Sequence, residues 1–494
     1  MKIKKTIITI ITIALTANIA MAKDQRIDMT ETMKKSLVYL QTSFHSYEQF
    51  QPWRNKDVTE NWSAGSAISK NEVITTAWNV ANASFIQAKV YGQNGFIPAK
   101  IKHLDYHCNL AIIELDAEAM DLPLVPLKFS KDYSKGAETS FYWLSSGGHL
   151  YSGRGFLDRT EMNLSTVSYT KHLNFIVANA SDRTGLGQIY CLGKKPIGIA
   201  CWSTKTESAI ISGEVINRFI AETKNKTYKG FGAIGFSTTS LLDPAMRSYL
   251  EMPDGLEHGV YVSDIHTIGT GSDVLRQGDV ILAIDGKDLN PYGRFMHPKY
   301  DRLYFDYLIT SKRAGEKISL DIWRKGATER IAAEVKNFEP DQMLVPYYEL
   351  DTQPEYVIIG GFILQKLTKP YMAGRGEDWQ GKTPSHILNY WRNMAFKPQN
   401  DRKSVIVLSY VLPADLNIGY SQLGQLVVNN INGMKISSMK DIPEALKLNP
   451  QAKYDVIEFE LDNPKVVIDR SLRPQADLQI SRNYGVGKMV NINE

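Results

Sequence analysis

The sequence predicts a mainly β protein: an all-β, two-barrel domain over 23–222, then two smaller mixed α/β modules over 223–340 and 341–494. Three observations carry this. From about Ser36 to Phe219 the chain is a succession of short strands with alternating or continuous apolar patterns, punctuated by Gly, Asn and Asp. Two later stretches share one order, an apolar strand running into an Asp-Gly or Asn-Gly turn and then a helical segment, which is the mark of a loose internal duplication. The length of 494 residues suits about three domains.

The first element is a targeting segment. Lys2, Lys4 and Lys5 form a basic start, about fifteen apolar residues follow, and Ala20-Met21-Ala22 is an A-x-A cleavage signal, so residues 1–22 read as a signal peptide. The apolar run is short for a membrane span, which needs about 20 residues, and no later run is long enough. Without those three lysines the formal charge of +4 falls to near neutrality, which argues against nucleic acid as a partner. An apolar content of 43% and a charged content of 22% fit an ordinary globular chain.

In the all-β domain, "EVITTAW", "NLAIIEL", "NFIVANA" and "PIGIACW" read as strands, with helical patterning only over Thr30–Tyr39 and near Gly213–Lys224. The stretch "ETKNKTYKG" reads as a linker. In the first module, "HGVYVSDI" and "GDVILAIDGKDL" are strands, the latter entering an Asp-Gly turn, and "KISLDIWRKG" ends in a Lys-Gly turn. In the second, "EYVIIGGFILQKL" is a strand pair or a bulged strand. "KSVIVLSYVL" and "QLVVNNINGMKI" are strands, and "MKDIPEALKL" is a helix.

These residues resemble the HtrA/Deg family of trypsin-like serine proteases with C-terminal PDZ domains. "SAGSAISKNEVITTAWNV" is similar to the family's Gly/Ser-rich strand and Thr-x-x-His turn, and "CNLAIIELD" to its Asp-(Ile/Leu)-Ala-Leu strand. "YSGRGFLDRTEM" and "VANASDRTGLGQIYCLGKKPIGIA" are similar to the segments before and around the nucleophile. "DVLRQGDVILAIDGKDL" resembles a PDZ strand and turn. "PEYVIIGGFILQKLTKPYM" with "VLSYVLPADLNIGY" resembles the divergent second PDZ of a plant-type Deg subgroup. The resemblance implies a chymotrypsin/trypsin-like double β-barrel followed by two PDZ-like modules.

It also implies a degenerate triad. The family histidine falls on Trp78, the aspartate on Asn109, and the nucleophile on Leu186 in the gapless reading of "TGLGQ", or on Gly185 in a trypsin-style alignment. Indole has no lone pair to take a proton, and neither Leu nor Gly has a nucleophilic atom. An Asp→Asn change alone costs about 10⁴ in one studied triad, and loss of nucleophile or base about 10⁶. Trp78 is accordingly expected to fill the former catalytic pocket, well buried.

Several residues invite rival readings. Ser181, beside Asp182, and Thr184 lie near the old nucleophile loop, but Ser-Asp in a loop is first a turn. Cys191 falls within a predicted strand, as a buried structural thiol. With Cys108 and Cys201 it makes three cysteines, enough for one bridge and an odd thiol, with the pairing open. His103, Asp105 and His107 alternate and could hold zinc on one strand face; the family pattern makes them an exposed polar loop instead.

The resemblance places recognition in the PDZ modules. Gly232-Ala233-Ile234-Gly235-Phe236 resembles the Gly-Leu-Gly-Phe loop, whose backbone N–H groups receive a peptide's terminal carboxylate while the peptide adds as a strand. Lys229 would add positive charge. Gly360-Gly361-Phe362-Ile363 is the comparable place in the second module, with a long insert that would cover its groove. The expectation is a proteolytically inactive, exported protein that binds protein or peptide C-termini as scaffold, holder or regulator of an active paralogue. It needs no cofactor, works in the periplasm, and forms a homo-oligomer, a trimer or multiple, through the barrel domain. The alternatives are a serine-type endopeptidase with non-standard residues and a metal- or ligand-binding protein reusing the barrel cleft.

Overall fold

The computed structural model describes residues 29–493 except 165, 166, 182, 462 and 464. The segment 1–22, expected to be a signal peptide, and Asp182 lie outside the described residues. The chain divides into two compact units. Among the described residues, one comprises 29–44, Thr59–Gly230 and Met296–Leu303; the other comprises His45–Val58, Phe231–Phe295 and 304–493.

The first unit contains two closed six-stranded antiparallel barrels. Strands β1 (Leu37–Phe44), β2 (Thr59–Ala67), β3 (Glu72–Thr75), β4 (Ala83–Val90), β5 (Ile97–Asp105) and β6 (Leu110–Leu115) close in the order β1-β2-β3-β6-β5-β4. Strands β7 (Glu138–Leu144), β8 (Leu150–Leu164), β9 (Lys171–Asn179), β10 (Ile189–Leu192), β11 (Lys195–Ser203) and β12 (Glu207–Ser212) repeat that order as β10-β11-β12-β9-β8-β7. The two closures bear out the double-barrel expectation. Inward side chains such as Val38, Leu40, Val73, Ile86, Ile97, Ala111 and Ile113 fill the first barrel. Closure leaves no free edge. A helix at Gly213–Glu222 follows, its first turn capped by Ser212 Oγ accepting from the Val215 N–H at 3.4 Å.

Two of the β-bulges in the second barrel bear on the site. Against β9, Leu157 pairs with Val177 and Arg159 with Ile176, so Asp158 is the extra residue on β8. Against β12, Ala200 pairs with Ile210 and Trp202 with Ala209, so Cys201 is the extra residue on β11. Bulges re-aim the side chains beside them, and both lie at the wall of the cleft described below.

The segment Met296–Leu303 also packs in this unit. Tyr300 is 1% exposed, its hydroxyl donates to Glu214 Oε2 at 3.0 Å, and its ring lies 5.8 Å from those of Tyr133 and Phe175.

The second unit carries two sheets. One orders Phe236–Ser240, Val260–Ile265, Val280–Ile284, Lys317–Arg324 and Ala327–Glu334. The other runs Val466–Asp469, Tyr454–Phe459, Leu426–Ile431, Ile406–Val411, Phe362–Lys366, Tyr356–Ile359 and Val490–Asn491. Buried charges in both are paired: Asp279 with Arg324 at 2.7 Å, and Asp455 with Arg470 at 2.8 Å and Arg473 at 2.7 Å. The segment His45–Val58 belongs here. Trp53 Nε1 donates to the Tyr484 carbonyl at 3.2 Å, and the Gln49 carbonyl accepts from Gln365 Nε2 at 2.9 Å. Among the described residues, no helix is long and apolar enough to cross a membrane.

Candidate functional site

The three positions on which the family resemblance places the catalytic residues are set by ordinary barrel geometry. Strand β3 ends at Thr75, whose hydroxyl donates to the Ala64 carbonyl at 2.9 Å. The chain then makes a 3₁₀ turn, Ala77–Val80. With three residues per turn, Ala77 and Val80 share the inward face, and Trp78 points away. Trp78 is 43% exposed. The expectation that it is well buried and fills a former pocket is therefore incorrect: the turn spends its inward positions on smaller side chains.

Asn109 lies opposite, 1% exposed, in the turn before β6. Its φ of 54° is left-handed, a conformation that Asn tolerates better than most residues. Asn109 Oδ1 accepts from the Trp78 N–H at 3.0 Å, and its carbonyl accepts from the Ala77 N–H at 3.1 Å. A carboxylate at this position could keep the Oδ1 bond and orient an imidazole with its other oxygen. The amide offers Nδ2 instead, and that atom is buried without a hydrogen-bond partner.

Leu186 occupies the third position. Its carbonyl accepts from the Ala64 N–H at 3.2 Å, and the Gly187 N–H donates to Ala200 at 2.8 Å, pinning the loop between β2 and β11. Gly187 is required: its φ is +75°, and a Cβ there would come 2.1 Å from the Ala64 oxygen. Gly185, the other aligned position, also lacks a nucleophile. Ser181 Oγ accepts from the Arg183 N–H at 3.5 Å, and Thr184 Oγ1 donates to the Thr204 carbonyl at 2.9 Å. Both hydroxyls serve local turns.

Beside Asn109 opens a cleft of about 320 Å³. A reused barrel cleft is among the alternatives that the sequence allows, but the residues of its lining were not anticipated. Its wall is one sheet face of the second barrel. Arg159, Ile176, Ala209 and Trp202 form a register row across β8, β9, β12 and β11, and Glu161 pairs with Asn174 one step along. Asn163, Cys201 and Glu207 complete the lining. Arg159 Nε donates to Glu161 at 2.5 Å, and its Nη1 to Asp158 at 2.6 Å and Glu207 at 3.0 Å. Three carboxylates thus surround one guanidinium. Burial pushes the Cys201 thiol up to about 12, so it is a thiol and not a thiolate at neutral pH.

The three cysteines are free. Cys191 is fully buried on β10, the structural role expected of it, and burial raises its thiol far above the ordinary range. The stretch around His103, Asp105 and His107 is not the exposed loop expected. Asp105 and His107 are buried. Asp105 Oδ1 accepts from the His107 N–H at 2.7 Å and the Cys108 N–H at 3.3 Å, and Oδ2 accepts from the Tyr228 hydroxyl. The carboxylate is spent on a turn, and among the described residues no group of His, Cys, Asp and Glu could hold a metal.

In the first module the loop before strand Phe236–Ser240 is mostly buried. The N–H groups of Gly232, Ala233 and Gly235 donate to the carbonyls of Lys312 at 3.0 Å, Lys336 at 2.8 Å and Thr270 at 2.9 Å. Ile234 makes a parallel bridge with Thr270, and Phe236 pairs with Ile265. The Lys229 N–H donates to Glu222 Oε1 at 2.8 Å within the first unit.

In the second module Gly360 and Gly361 form a two-residue hairpin turn, with φ of 54° and 95°. The Gly360 N–H donates to Asp477 Oδ1 at 2.8 Å. This loop therefore holds a carboxylate from its own chain, on the helix Arg473–Tyr484. Burial pushes the Asp477 carboxyl up, with Gly360 and Arg473 opposing. The insert lies partly on this module, through Tyr390 to Glu460 at 2.8 Å. Its end reaches the first module, where Phe396 stacks on His266 at 4.8 Å and accepts from the Thr267 N–H at 3.0 Å.

Residues 345–490 match a PDZ domain family model. The chain is 26% identical over 438 residues to Protease Do-like 4, mitochondrial, of Arabidopsis thaliana, covering 88% of this chain and 80% of that relative. It is 26% identical over 426 residues to Putative protease Do-like 3, mitochondrial, of the same plant, covering 85% and 72%. Among solved structures it is similar to an HtrA-type protease AlgW with decapeptide, at 17% identity and a TM-score of 0.47, covering 63% of this chain and 99% of that one.

Proposed function

Because this chain belongs to the HtrA/Deg family of trypsin-like proteases with PDZ modules, we propose that it is a proteolytically inactive member that holds polypeptides instead of cutting them. One observation carries the reading. Asn109 Oδ1 lies 3.0 Å from the Trp78 nitrogen, and the residues that the resemblance aligns with base, carboxylate and nucleophile, Trp78, Asn109 and Leu186, can serve as none of them. Hydrolysis requires an attacking atom and a group to take its proton, and backbone donors alone supply neither.

In this reading the barrel unit is a binding scaffold, and the PDZ modules engage protein C-termini or sister subunits. The second module is committed to its own chain through Asp477 and the edge strand Val490–Asn491, which favours assembly there over capture of a free terminus. The protein is exported after loss of residues 1–22, works in the periplasm as a homo-oligomer, and serves as chaperone-like holder or as partner to an active paralogue. The test is incubation with unfolded casein. The expected result is a stable complex and no fragments beyond those of buffer. Fragments whose formation stops with a serine-directed inhibitor would overturn the proposal.

A further inference from the structure

The cleft beside Asn109 has two properties that loss of catalysis does not explain. One of its buried polar groups is unsatisfied: Asn109 is 1% exposed, lines the cleft, and has no partner for Nδ2. A buried N–H donor without an acceptor is a standing cost, which a carbonyl oxygen entering the cleft would remove. Its mouth is acidic. Glu161 and Glu207 line it, and both share the single guanidinium of Arg159 with Asp158. One positive charge against three negative ones leaves two carboxylates' worth of field, which repels anions and draws a second cation.

The remaining wall suits a cation with an apolar stem. Trp202 is 44% exposed beside buried Ile176 and Ala209. An indole face attracts guanidinium or ammonium groups. The volume of about 320 Å³ is at the small end of ligand pockets, which run from about 300 to 1,000 Å³. It suits one long residue and excludes a bulky cofactor.

We infer that the cleft is a binding site for a basic residue of an extended polypeptide. The residue's carbonyl accepts from Asn109 Nδ2, its stem lies against Trp202, and its charge meets Glu161 and Glu207. This rests on the polypeptide-holding reading above and gives that reading a chemical preference. It also gives the two bulges a purpose, since they turn Arg159 and Trp202 onto the same wall.

The test uses the full mature chain and two probes, Nα-acetyl-arginine N-methylamide and its citrulline analogue, which has nearly the same shape without the charge. In calorimetric titrations at about millimolar probe, arginine should bind and citrulline should bind at least about tenfold more weakly. The indole N–H resonance of Trp202 should shift with arginine. Glu161→Gln with Glu207→Gln should lose about tenfold in affinity and most of the salt dependence. Because that variant alters the partners of Arg159, the indole shift in the unaltered protein stands as the independent readout. Equal binding of the two probes, binding without movement of the Trp202 resonance, or no arginine binding would overturn the inference. If casein is held while arginine is not bound, the cleft assignment falls and the holding function stands. If casein is cut, the holding function itself falls.

Discussion

Acid should destabilise this protein through His172. The imidazole sits on β9, 5% exposed, and its pKa is lowered to about 3, chiefly by burial and next by the charge of Arg218; Asp105 opposes the shift, the His107 charge adds to it, and a hydrogen bond with the His107 backbone opposes it. In the unfolded chain a histidine titrates near 6.5. Above that pH both states are neutral and the group contributes nothing to pH dependence. Below it the unfolded state binds a proton that the folded state refuses, so stability falls as pH falls, at up to about 1.4 kcal/mol per pH unit. Between pH 6.5 and 5, where most carboxylates remain ionised, the loss should reach about 2 kcal/mol. Carried down to pH 3 it would approach 5 kcal/mol, comparable with the whole stability of a marginal domain. The assay is urea unfolding at pH 7, 6 and 5, for the protein and for His172→Gln, which cannot titrate. The two stability profiles should converge at neutral pH and separate on acidification, with the variant flatter. Parallel profiles would refute the reasoning and mean that His172 accepts a proton in place.

Four further outcomes follow from the geometry. Trp78→Ala should cost less than about 1 kcal/mol in chemical denaturation, because the ring is already half in solvent. Gly187→Ala should cost about 2–5 kcal/mol by thermal melting, combining left-handed strain with collision against Ala64, whereas Gly193→Ala, at φ +60° with open space around it, should cost only about 1–2 kcal/mol. Tyr300→Phe should lose about 1 kcal/mol with the Glu214 bond, and Tyr300→Ala about 3–5 kcal/mol, both read by thermal unfolding. Asp477→Ala leaves the Gly360 N–H without its carboxylate, so hydrogen exchange at Gly360 should quicken by about tenfold or more, against no change if solvent already served that donor.

Much of the fold was legible because it is written in local chemistry. The Asp285-Gly286, Lys325-Gly326 and Asn432-Gly433 turns all have positive φ at both residues, the conformation those pairs favour between antiparallel strands. "EVIT" and "NLAIIEL" became β3 and β6 because their apolar content suits barrel strands. Likewise "MKDIPEALKL" supplied the helix Asp441–Lys447. Helical patterning over Thr30–Tyr39 was only half right: helix occupies 29–36, and β1 takes over at Leu37, where pairing with β2 and β4 begins.

What stayed hidden depends on partners far away in sequence. Trp78 looked like core because the resemblance aligns a large aromatic residue with a pocket residue, but the phase of one 3₁₀ turn decides its direction. Asp105 looked like loop because its neighbours are polar, yet Tyr228, 123 residues later, helps bury it. The lining of the cleft could not be read from the sequence. Arg159, Glu161, Asn174, Glu207 and Trp202 come from four strands, and single-residue bulges set which of them share a face. Nor does composition mark His45–Val58 or Met296–Leu303 as segments that pack away from their sequence neighbours.

The proposed absence of catalysis is tested most directly by covalent chemistry at the aligned centre itself. The purified protein is incubated with a fluorophosphonate in excess and its intact mass is recorded. Phosphonylation needs a serine activated by a neighbouring base, and with Trp78, Asn109 and Leu186 at the three positions the mass should remain unchanged after prolonged exposure. A single stoichiometric adduct, mapped by peptide sequencing to Ser181 or any other serine of the barrel unit, would contradict the account.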